Sequence, residues 1–300
     1  MLSQIVTRCG LYAMLFVLLA GPSSSYAQSF SEVEKRGQTS ADSRLNAALV
    51  KIGLFLISGG GGNSLLRLSA NGFILVDGKL PGNYDAILAS AKKLSYSDQP
   101  IRILINTDHH ENHTALNEEF LQAGTFVLSQ ENVKTNLTNT SSSVRTIALP
   151  NRTYDQEFTI KLGGIQVQLL HFGDAHTNGD TVVYFPDLKV IAVGDLYATA
   201  PNPDFSAGGS LVGWGPVLAR ILQLDFDIVV PGTGPMVTKS ELVTFKKQID
   251  RVISLATELV KQGVPKDQLM AQIRSDDLGR RLSFSGPQLD AFYAELASAK

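Results

Sequence analysis

All five histidines of this 300-residue chain lie in two short windows, and each window follows an apolar run. The first window is residues 107–114, after the run 101–106, and the second is 171–177, after the run 165–170. Short apolar runs of this kind are typical of buried strands, and loops at strand ends often carry the functional groups of a rigid scaffold. Because imidazole is a common metal ligand, we expect a fold that brings two distant strand ends together at one site.

The overall composition is that of an ordinary globular chain. The formal net charge is −2 and 44% of the residues are hydrophobic. A chain of this size can bury one large core or two smaller ones. The nearly balanced charge lacks the basic footprint of a nucleic-acid-binding protein, so we expect no nucleic-acid partner.

The N-terminus has the pattern of a secretory signal peptide over residues 1–27. Arg8 precedes an apolar run at 11–20, and Ser25 and Ala27 place small residues at the positions that a signal peptidase reads. The apolar run is short for a membrane span, although a retained N-terminal anchor is the alternative. We therefore expect cleavage after Ala27, an exported protein in the periplasm or outside the cell, and no membrane association after cleavage.

The single cysteine, Cys9, lies inside the predicted signal peptide. The mature chain would then contain no disulfide, no thiolate ligand and no cysteine nucleophile. Any metal ion would have to be bound by imidazole and oxygen ligands.

Three segments follow the predicted signal peptide. Residues 28–47 are polar and are predicted to be a leader, 48–240 form the main domain, and 241–300 form a C-terminal helical extension packed on the same domain. The extension is predicted from helical patterns that recur over the last 60 residues, beginning near Lys239.

Within the main domain, strand and helix patterns alternate. The runs 54–58 and 64–68 flank four glycines and predict a β-hairpin. We expect a helix over 114–123 and a loop over 136–144, where Asn, Thr and Ser crowd together.

Four motifs then occur in a fixed order. They are Asn106-Thr107-x-x-His110-x-x-His113-Thr114, Ala175-His176-Thr177-x-Gly179-Asp180-Thr181, Gly194-Asp195 and Pro231-Gly232-x-Gly234-Pro235. From about residue 50 to 240 the chain resembles the metallo-β-lactamase superfamily. The resemblance implies an α/β (α+β) fold, a four-layer αββα sandwich in which two mixed sheets face each other, with helices outside and metals at one edge.

The chain also departs from the family's ligand pattern, whose first motif is His-x-His-x-Asp-His and whose last is Gly-His-Gly. Asp108 stands at the first histidine, Asn112 at the aspartate and Thr233 at the last histidine. The remaining family ligands are matched by His110, His113, His176 and Asp195.

These residues imply two unequal metal positions. The first would consist of Asp108, His110 and His176 with an open place for water, a two-histidine, one-carboxylate set that suits zinc and also non-haem iron. The second would consist of Asn112, His113, Asp195 and Thr233, in which the amide and the hydroxyl are weak neutral ligands. We therefore expect one metal ion per chain, zinc or alternatively iron.

The resemblance implies an exported metal-dependent hydrolase acting on a small-molecule substrate. Hydroxide generated at the metal would attack a lactam, ester or thioester carbonyl, with Asp108, Asn112 and Asp195 as catalytic residues. Asn112 cannot act as a base, so proton transfer would fall to Asp108, Glu111 or Asp195. The alternative is a catalytically weak or inactive binding protein of the same fold; a sulfur- or redox-linked exported enzyme is a third possibility, against which the missing cysteines argue weakly.

Other residues near these motifs have both a functional and a structural interpretation. His110 and His176 would form a polar network if no metal binds, and Asp77 would either support the site or cap a turn. Trp214 would lie in the core or in a pocket wall. Three more are expected to be structural: His109 packed or facing solvent, His171 on the wall at a strand end, and Asp180 bonded to loop backbone.

Overall fold

The computed structural model describes residues 45–140, 147–198, 202–273, 282, 284 and 286–298. The predicted signal peptide lies outside these residues, as does all of the predicted leader except its last three positions. Among the described helices, none combines the length and apolar character that a membrane span requires.

The first sheet has seven strands whose spatial order equals their order in the chain. Strands β1 to β4 pair antiparallel, and β4 to β7 pair parallel. The strands are β1 (Asn46–Lys51), β2 (Leu54–Ser58), β3 (Ser64–Ser69), β4 (Gly72–Val76), β5 (Ile101–Ile105), β6 (Phe126–Gln130) and β7 (Arg152–Tyr154). The predicted hairpin around the glycine run is confirmed as β2 and β3, while β1 begins two residues inside the predicted leader.

The second sheet has six strands in the order β13-β12-β11-β10-β9-β8. All neighbours pair antiparallel except β11 and β12, which are parallel. The strands are β8 (Glu157–Leu162), β9 (Ile165–Leu170), β10 (Val182–Phe185), β11 (Val190–Gly194), β12 (Ile228–Pro231) and β13 (Val237–Thr238).

Helices cover the outer faces of both sheets. They are α1 (Tyr84–Ser95), α2 (Glu111–Thr114), α3 (Asn117–Gln122), α4 (Glu131–Thr140), α5 (Leu211–Ile221), α6 (Lys239–Lys261), α7 (Lys266–Gln272) and α8 (Pro287–Ser298). A core of residues from both sheets fills the space between them. A second core joins helices α1 and α3 to the first sheet. A third core joins the four helices α5, α6, α7 and α8 to the second sheet. These four layers confirm the predicted αββα sandwich.

The loop predicted over 136–144 is wrong for its first five residues, because α4 extends to Thr140. Val133 and Leu137 lie four residues apart and are both buried, so one face of the segment packs into the protein. The polar side chains are used as well: the Asn132 amide donates to the Asn178 carbonyl (2.7 Å) and the Asn136 amide to the Asn178 side chain (2.9 Å). Tertiary contacts therefore override weak helix propensity here.

The single helix predicted over 114–123 is also wrong in its bounds, because two short helices, α2 and α3, replace it. The carbonyl of His113 accepts hydrogen bonds from the Gly78 amide (2.9 Å) and the Asn106 side chain (2.9 Å). It is thereby diverted from the helical ladder, which explains the break after α2. The same bonds fix His113 against the ends of β4 and β5.

Helix α6 begins at a capping box. The Glu241 amide donates to Thr238 Oγ1 (3.3 Å), and the Thr238 amide donates to the Glu241 carboxylate (2.7 Å). We expect Thr238→Ala to lower the free energy of unfolding by about 1 kcal/mol, because one amide of the first turn loses its acceptor. Urea denaturation would measure this loss; Thr244→Ala, on the exposed side of the same helix, is the control, and an equal effect of both changes would contradict a role for the cap.

Candidate metal centre

The two histidine windows meet where β4, β5, β9 and β11 end. The Thr181 amide donates to the Thr107 carbonyl (2.8 Å), and the Gly232 amide donates to the Gly194 carbonyl (2.8 Å). The first bond connects the loop after β5 to the loop after β9, and the second aligns the ends of β11 and β12. The expected convergence of distant strand ends is therefore present.

The side chain of Asp77 orders the first histidine window, residues 107–114. Its carboxylate accepts hydrogen bonds from the amide and the hydroxyl of Thr107, both at 2.8 Å, and lies 3.0 Å from His113 Nδ1. Its backbone adopts φ 59°, an uncommon conformation for a residue other than glycine. Of the two interpretations of Asp77, support of the site is the one that matches these contacts.

Four side chains with metal-ligating atoms converge: Asp108, His110, His176 and Asp195. Their ligand atoms all lie within 4.8 Å of one another. Asp108 Oδ2 and His176 Nε2 are buried and make no hydrogen bond to any described residue. Two carboxylates and two imidazoles are a suitable donor set for Zn²⁺. The unpaired buried atoms are what a bound dication would satisfy, so these residues fit a metal ion.

His113 lies beside this four-residue group. Its Nε2 is 3.6 Å from Asp108 Oδ2, 3.5 Å from Asp195 Oδ2 and 2.9 Å from the Asn112 amide. Thr233 is exposed, and its side chain makes no hydrogen bond to another described residue. Among the residues predicted for the second metal position, the structure thus brings together Asn112, His113 and Asp195. Asp195 also lies with the residues of the first metal position.

Two glycines allow the strand ends to approach the site. A Cβ at Gly232 would lie 2.5 Å from Asp195 Oδ1 and 2.9 Å from His113 Cε1. Gly194 has φ 51°, and a Cβ there would lie 2.5 Å from Thr107 Oγ1. Neither position has room for a side chain, which explains glycine in both the Gly194-Asp195 and Pro231-Gly232 motifs.

The charges of the site are strongly coupled. Burial alone would raise the pKa of Asp108, but the neighbouring histidines, His113 first, hold that pKa well below its usual range. Burial would also raise the pKa of Asp195, but the neighbouring His113 lowers it below its usual range. Burial would lower the pKa of His110, but hydrogen bonds to Asp108 and Asp204 raise it to about 10. The buried carboxylates require positive charge, which imidazolium protons or a bound dication can supply.

Asp204 is a site residue that the sequence analysis missed. Its Oδ2 lies 3.4 Å from His110 Nε2 and 3.6 Å from His109 Nε2. His110 holds the pKa of Asp204 below its usual range. The only signal in the sequence was a carboxylate in a proline-containing loop after Asp195, and no spacing rule connects that loop to the first histidine window.

Asp180 ties the loop that carries His176. Its carboxylate accepts from the Thr177 amide (2.9 and 3.1 Å) and the Thr177 hydroxyl (2.7 Å), and it is buried. His171 Nδ1 lies 2.9 Å from the Asp180 carbonyl oxygen. Both residues are placed as the sequence indicated, in the wall and loop backbone around the site.

Trp214 lies in the core behind the site. Its side chain is fully buried, its indole N–H donates to the Leu196 carbonyl (3.0 Å), and its ring centroid is 5.9 Å from that of His176. The core interpretation of Trp214 therefore matches its position, and the ring supports His176 from within.

The glycine loop 59–62 is held beside the site by Lys79, whose role the sequence did not indicate. Lys79 is fully buried, and its ammonium donates to the carbonyls of Ile57 (2.9 Å), Gly59 (2.9 Å) and Gly62 (2.6 Å). Burial lowers the pKa of Lys79 to about 7, and Asp77 works against this shift.

The family model of the metallo-beta-lactamase superfamily matches residues 57–233 of the chain. Among curated proteins, the chain is similar to the 2,4-dinitroanisole O-demethylase subunit alpha of Nocardioides sp. (strain JS1661), with 25% identity over 170 residues. The match covers 56% of this chain and 51% of that protein, so the chain spans about half the length of this relative.

Solved structures of metallo-beta-lactamases share the fold. A metallo-beta-lactamase from Pontibacter korlensis superposes with a TM-score of 0.59 at 22% identity, covering 67% of this chain and 96% of that one. FIM-1 from Pseudomonas aeruginosa in its mono-zinc form gives a TM-score of 0.60 at 15% identity, covering 74% and 97%. At these identities the likeness establishes the fold alone.

Proposed function

Since this chain belongs to the metallo-β-lactamase superfamily, we propose that it is a metal-dependent hydrolase whose catalytic group binds one zinc ion and acts on a carbonyl of the lactam, ester or thioester type. The group of Asp108, His110, His176 and Asp195 carries this proposal, because its ligand atoms lie within 4.8 Å of one another. A zinc ion bound there would act as a Lewis acid that acidifies water and polarises a carbonyl.

The mouth of the site is where a small molecule would enter. The side chains of His110, Asp195 and His176 are 32%, 20% and 14% exposed, whereas those of Asp108 and His113 are each 1% exposed. Substrate would therefore approach from the side of His110 and Asp195. Asp108 and His113 form the buried floor, which Asp77 holds in register.

Proton transfer is best assigned to Asp195. Its side chain is 20% exposed, and its Oδ2 lies 3.5 Å from His113 Nε2 and 3.6 Å from His176 Nε2, so the carboxylate lies within the group that would bind the reacting water. Asn112, in the position of the family aspartate, can donate a hydrogen bond but cannot take a proton. We therefore expect slow turnover, and a binding protein without catalysis is the alternative that this amide favours.

A substrate panel separates these functions. The wild-type protein with one zinc bound is expected to hydrolyse at least one of a chromogenic cephalosporin, a p-nitrophenyl ester and an acyl thioester. His176→Ala should abolish the activity, and His171→Gln, a histidine outside the four-residue group, should retain it. A zinc-loaded protein that binds but never turns over these compounds would favour the binding protein.

A second candidate reaction comes from the curated relative, whose name describes O-demethylation of 2,4-dinitroanisole. Hydrolysis of an aryl methyl ether would give a phenol and methanol, and it would use the same activated water. The assay adds 2,4-dinitroanisole to the panel and follows the coloured 2,4-dinitrophenolate. Turnover of the ether without turnover of the carbonyl substrates would replace the carbonyl assignment.

We also propose that the protein is exported, on the support of its N-terminal pattern. Expression of the full chain with intact-mass analysis of the recovered protein is expected to show a mature chain that begins at Gln28. Replacement of Ala27 by leucine, with Ala41→Leu as the control, should block the processing. Recovery of an unprocessed chain from the cytoplasm would contradict export.

A further inference from the structure

We infer that His109, His110 and Asp204 form a second dication position, separate from the group of Asp108, His110, His176 and Asp195. The position takes zinc or a similar borderline dication. It does not use Asn112 or Thr233, where the family's second set of ligands is altered. Metal binding at this position does not depend on hydrolysis being the activity.

The three ligand atoms are spaced as zinc ligands are. Asp204 Oδ2 is 3.4 Å from His110 Nε2 and 3.6 Å from His109 Nε2. With zinc–ligand bonds of about 2.0–2.1 Å, two ligands of a tetrahedral ion lie about 3.3 Å apart. The three residues together keep their ligand atoms within 4.8 Å. Only small movements would complete the site.

The chemical types of the donors also match. Two imidazoles and one carboxylate are an established three-ligand set for zinc that leaves a coordination place open. Asp204 Oδ1 is occupied by the amides of Ser206 (3.0 Å) and Ala207 (3.3 Å), so the carboxylate is held with Oδ2 directed at the histidines. A pre-oriented ligand loses less freedom when the metal binds.

His109 lies buried beside the other two residues. It is 7% exposed, and its Nδ1 is buried without a hydrogen bond to any described residue. Its ring lies on that of His110, with centroids 4.3 Å apart. Its other ring nitrogen, Nε2, lies 3.6 Å from Asp204 Oδ2 and is the atom that would ligate the ion.

His110 belongs to both positions through different atoms. Its Nδ1 lies 3.1 Å from Asp108 and its Nε2 lies 3.4 Å from Asp204. Two ions bound at once would share the ring as a bridging imidazolate, and the Nε2 proton would be released to solvent. The second ion should therefore bind more weakly than the first.

The competing interpretation is that Asp204 only accepts a hydrogen bond from His110 and so orients it for the first ion, as carboxylates beside ligating histidines do. The two interpretations differ in the number of ions bound. Removal of a carboxylate that only orients His110 lowers the affinity for one ion, whereas removal of a ligand lowers the number of ions bound by one.

The experiment is a zinc titration of the full chain by equilibrium dialysis with elemental analysis. The wild type is expected to bind two zinc ions in two steps, and Asp204→Asn and His109→Gln one each. Asp174→Asn changes an exposed carboxylate in the same way and should still bind two. Asp204→Asn keeps an oxygen for Ser206 and Ala207, and circular dichroism of each metal-free variant verifies folding.

Several outcomes would overturn the second position. A wild type that saturates at one zinc ion contradicts it, as does binding of two ions by both Asp204→Asn and His109→Gln. If Asp204→Asn only lowers the affinity for a single zinc ion, Asp204 is a positioning residue instead of a ligand. His176→Ala should lose the tighter step and keep the weaker one, which separates failure at this position from failure at the first.

Discussion

Replacing His176 with alanine is expected to weaken the tighter zinc site at least about 100-fold, since loss of groups that merely support a ligand already lowers metal affinity about 10- to 100-fold. His176 Nε2 is a buried ligand atom without a hydrogen-bond partner among the described residues, and it lies 3.6 Å from Asp195 Oδ2. Removing it leaves the ion with two carboxylates and one imidazole. Competition with a chromophoric chelator would measure the change.

The thermal stability of the same variant gives a second measurement. Zinc at 100 times its dissociation constant stabilises a folded protein by about 2.7 kcal/mol. The melting temperature of the wild type should rise accordingly on zinc addition, and that of His176→Ala should rise much less at the same zinc concentration. His171→Gln is the control and should respond as the wild type does. An unchanged zinc affinity in His176→Ala would remove His176 from the site.

The second large effect is expected for Lys79→Met, which should lower the free energy of unfolding by about 2–4 kcal/mol because buried acceptors lose their donor. The three carbonyls of Ile57, Gly59 and Gly62 all accept from the Lys79 ammonium. Methionine keeps most of the side-chain volume, so the loss measures the hydrogen bonds and not a cavity. Urea denaturation would measure it.

Lys92→Met is the matched control, because the Lys92 side chain is 68% exposed. It should change stability by less than about 0.5 kcal/mol. An equally small effect of Lys79→Met would show that the ammonium contributes nothing to holding the glycine loop.

The Lys79 effect should also depend on pH. The pKa of Lys79 is lowered to about 7 in the folded protein from 10.5, so the unfolded chain binds the additional proton between these values. Stability of the wild type relative to Lys79→Met should therefore rise with pH between 7 and 10.5, by at most about 1.4 kcal/mol per pH unit. A difference that is flat over this range would contradict the lowered pKa.

The resemblance to the metallo-β-lactamase superfamily predicted the sandwich, and the individual strands were predicted from buried runs with clear ends. The hairpin of β2 and β3 and the long helix α6 follow from apolar periodicity and turn residues alone. Helix α4 did not, because its polar side chains become favourable only when Asn178 is close enough to pair with them. Local propensity contains no information about a partner 42 residues away.

The site divides in the same way. His110, His113 and His176 were identifiable from motif order, since each stands in a fixed position after a strand. Asp204 and Lys79 were not, because a lone carboxylate in a loop and a lone lysine after a strand have no distinguishing spacing. Their roles arise from the tertiary fold, which directs Asp204 at His110 and buries Lys79 beneath the glycine loop.

The central claim is that Asp108, His110, His176 and Asp195 bind a metal ion, and the metal content of the protein tests it most directly. The protein, purified without a metal-binding tag and dialysed against metal-free buffer, should retain about one zinc ion, that of the tighter position, by elemental analysis, since imidazole and carboxylate are established zinc ligands. Less than about one-tenth of an ion per chain, unchanged after incubation with zinc and renewed dialysis, would contradict the claim.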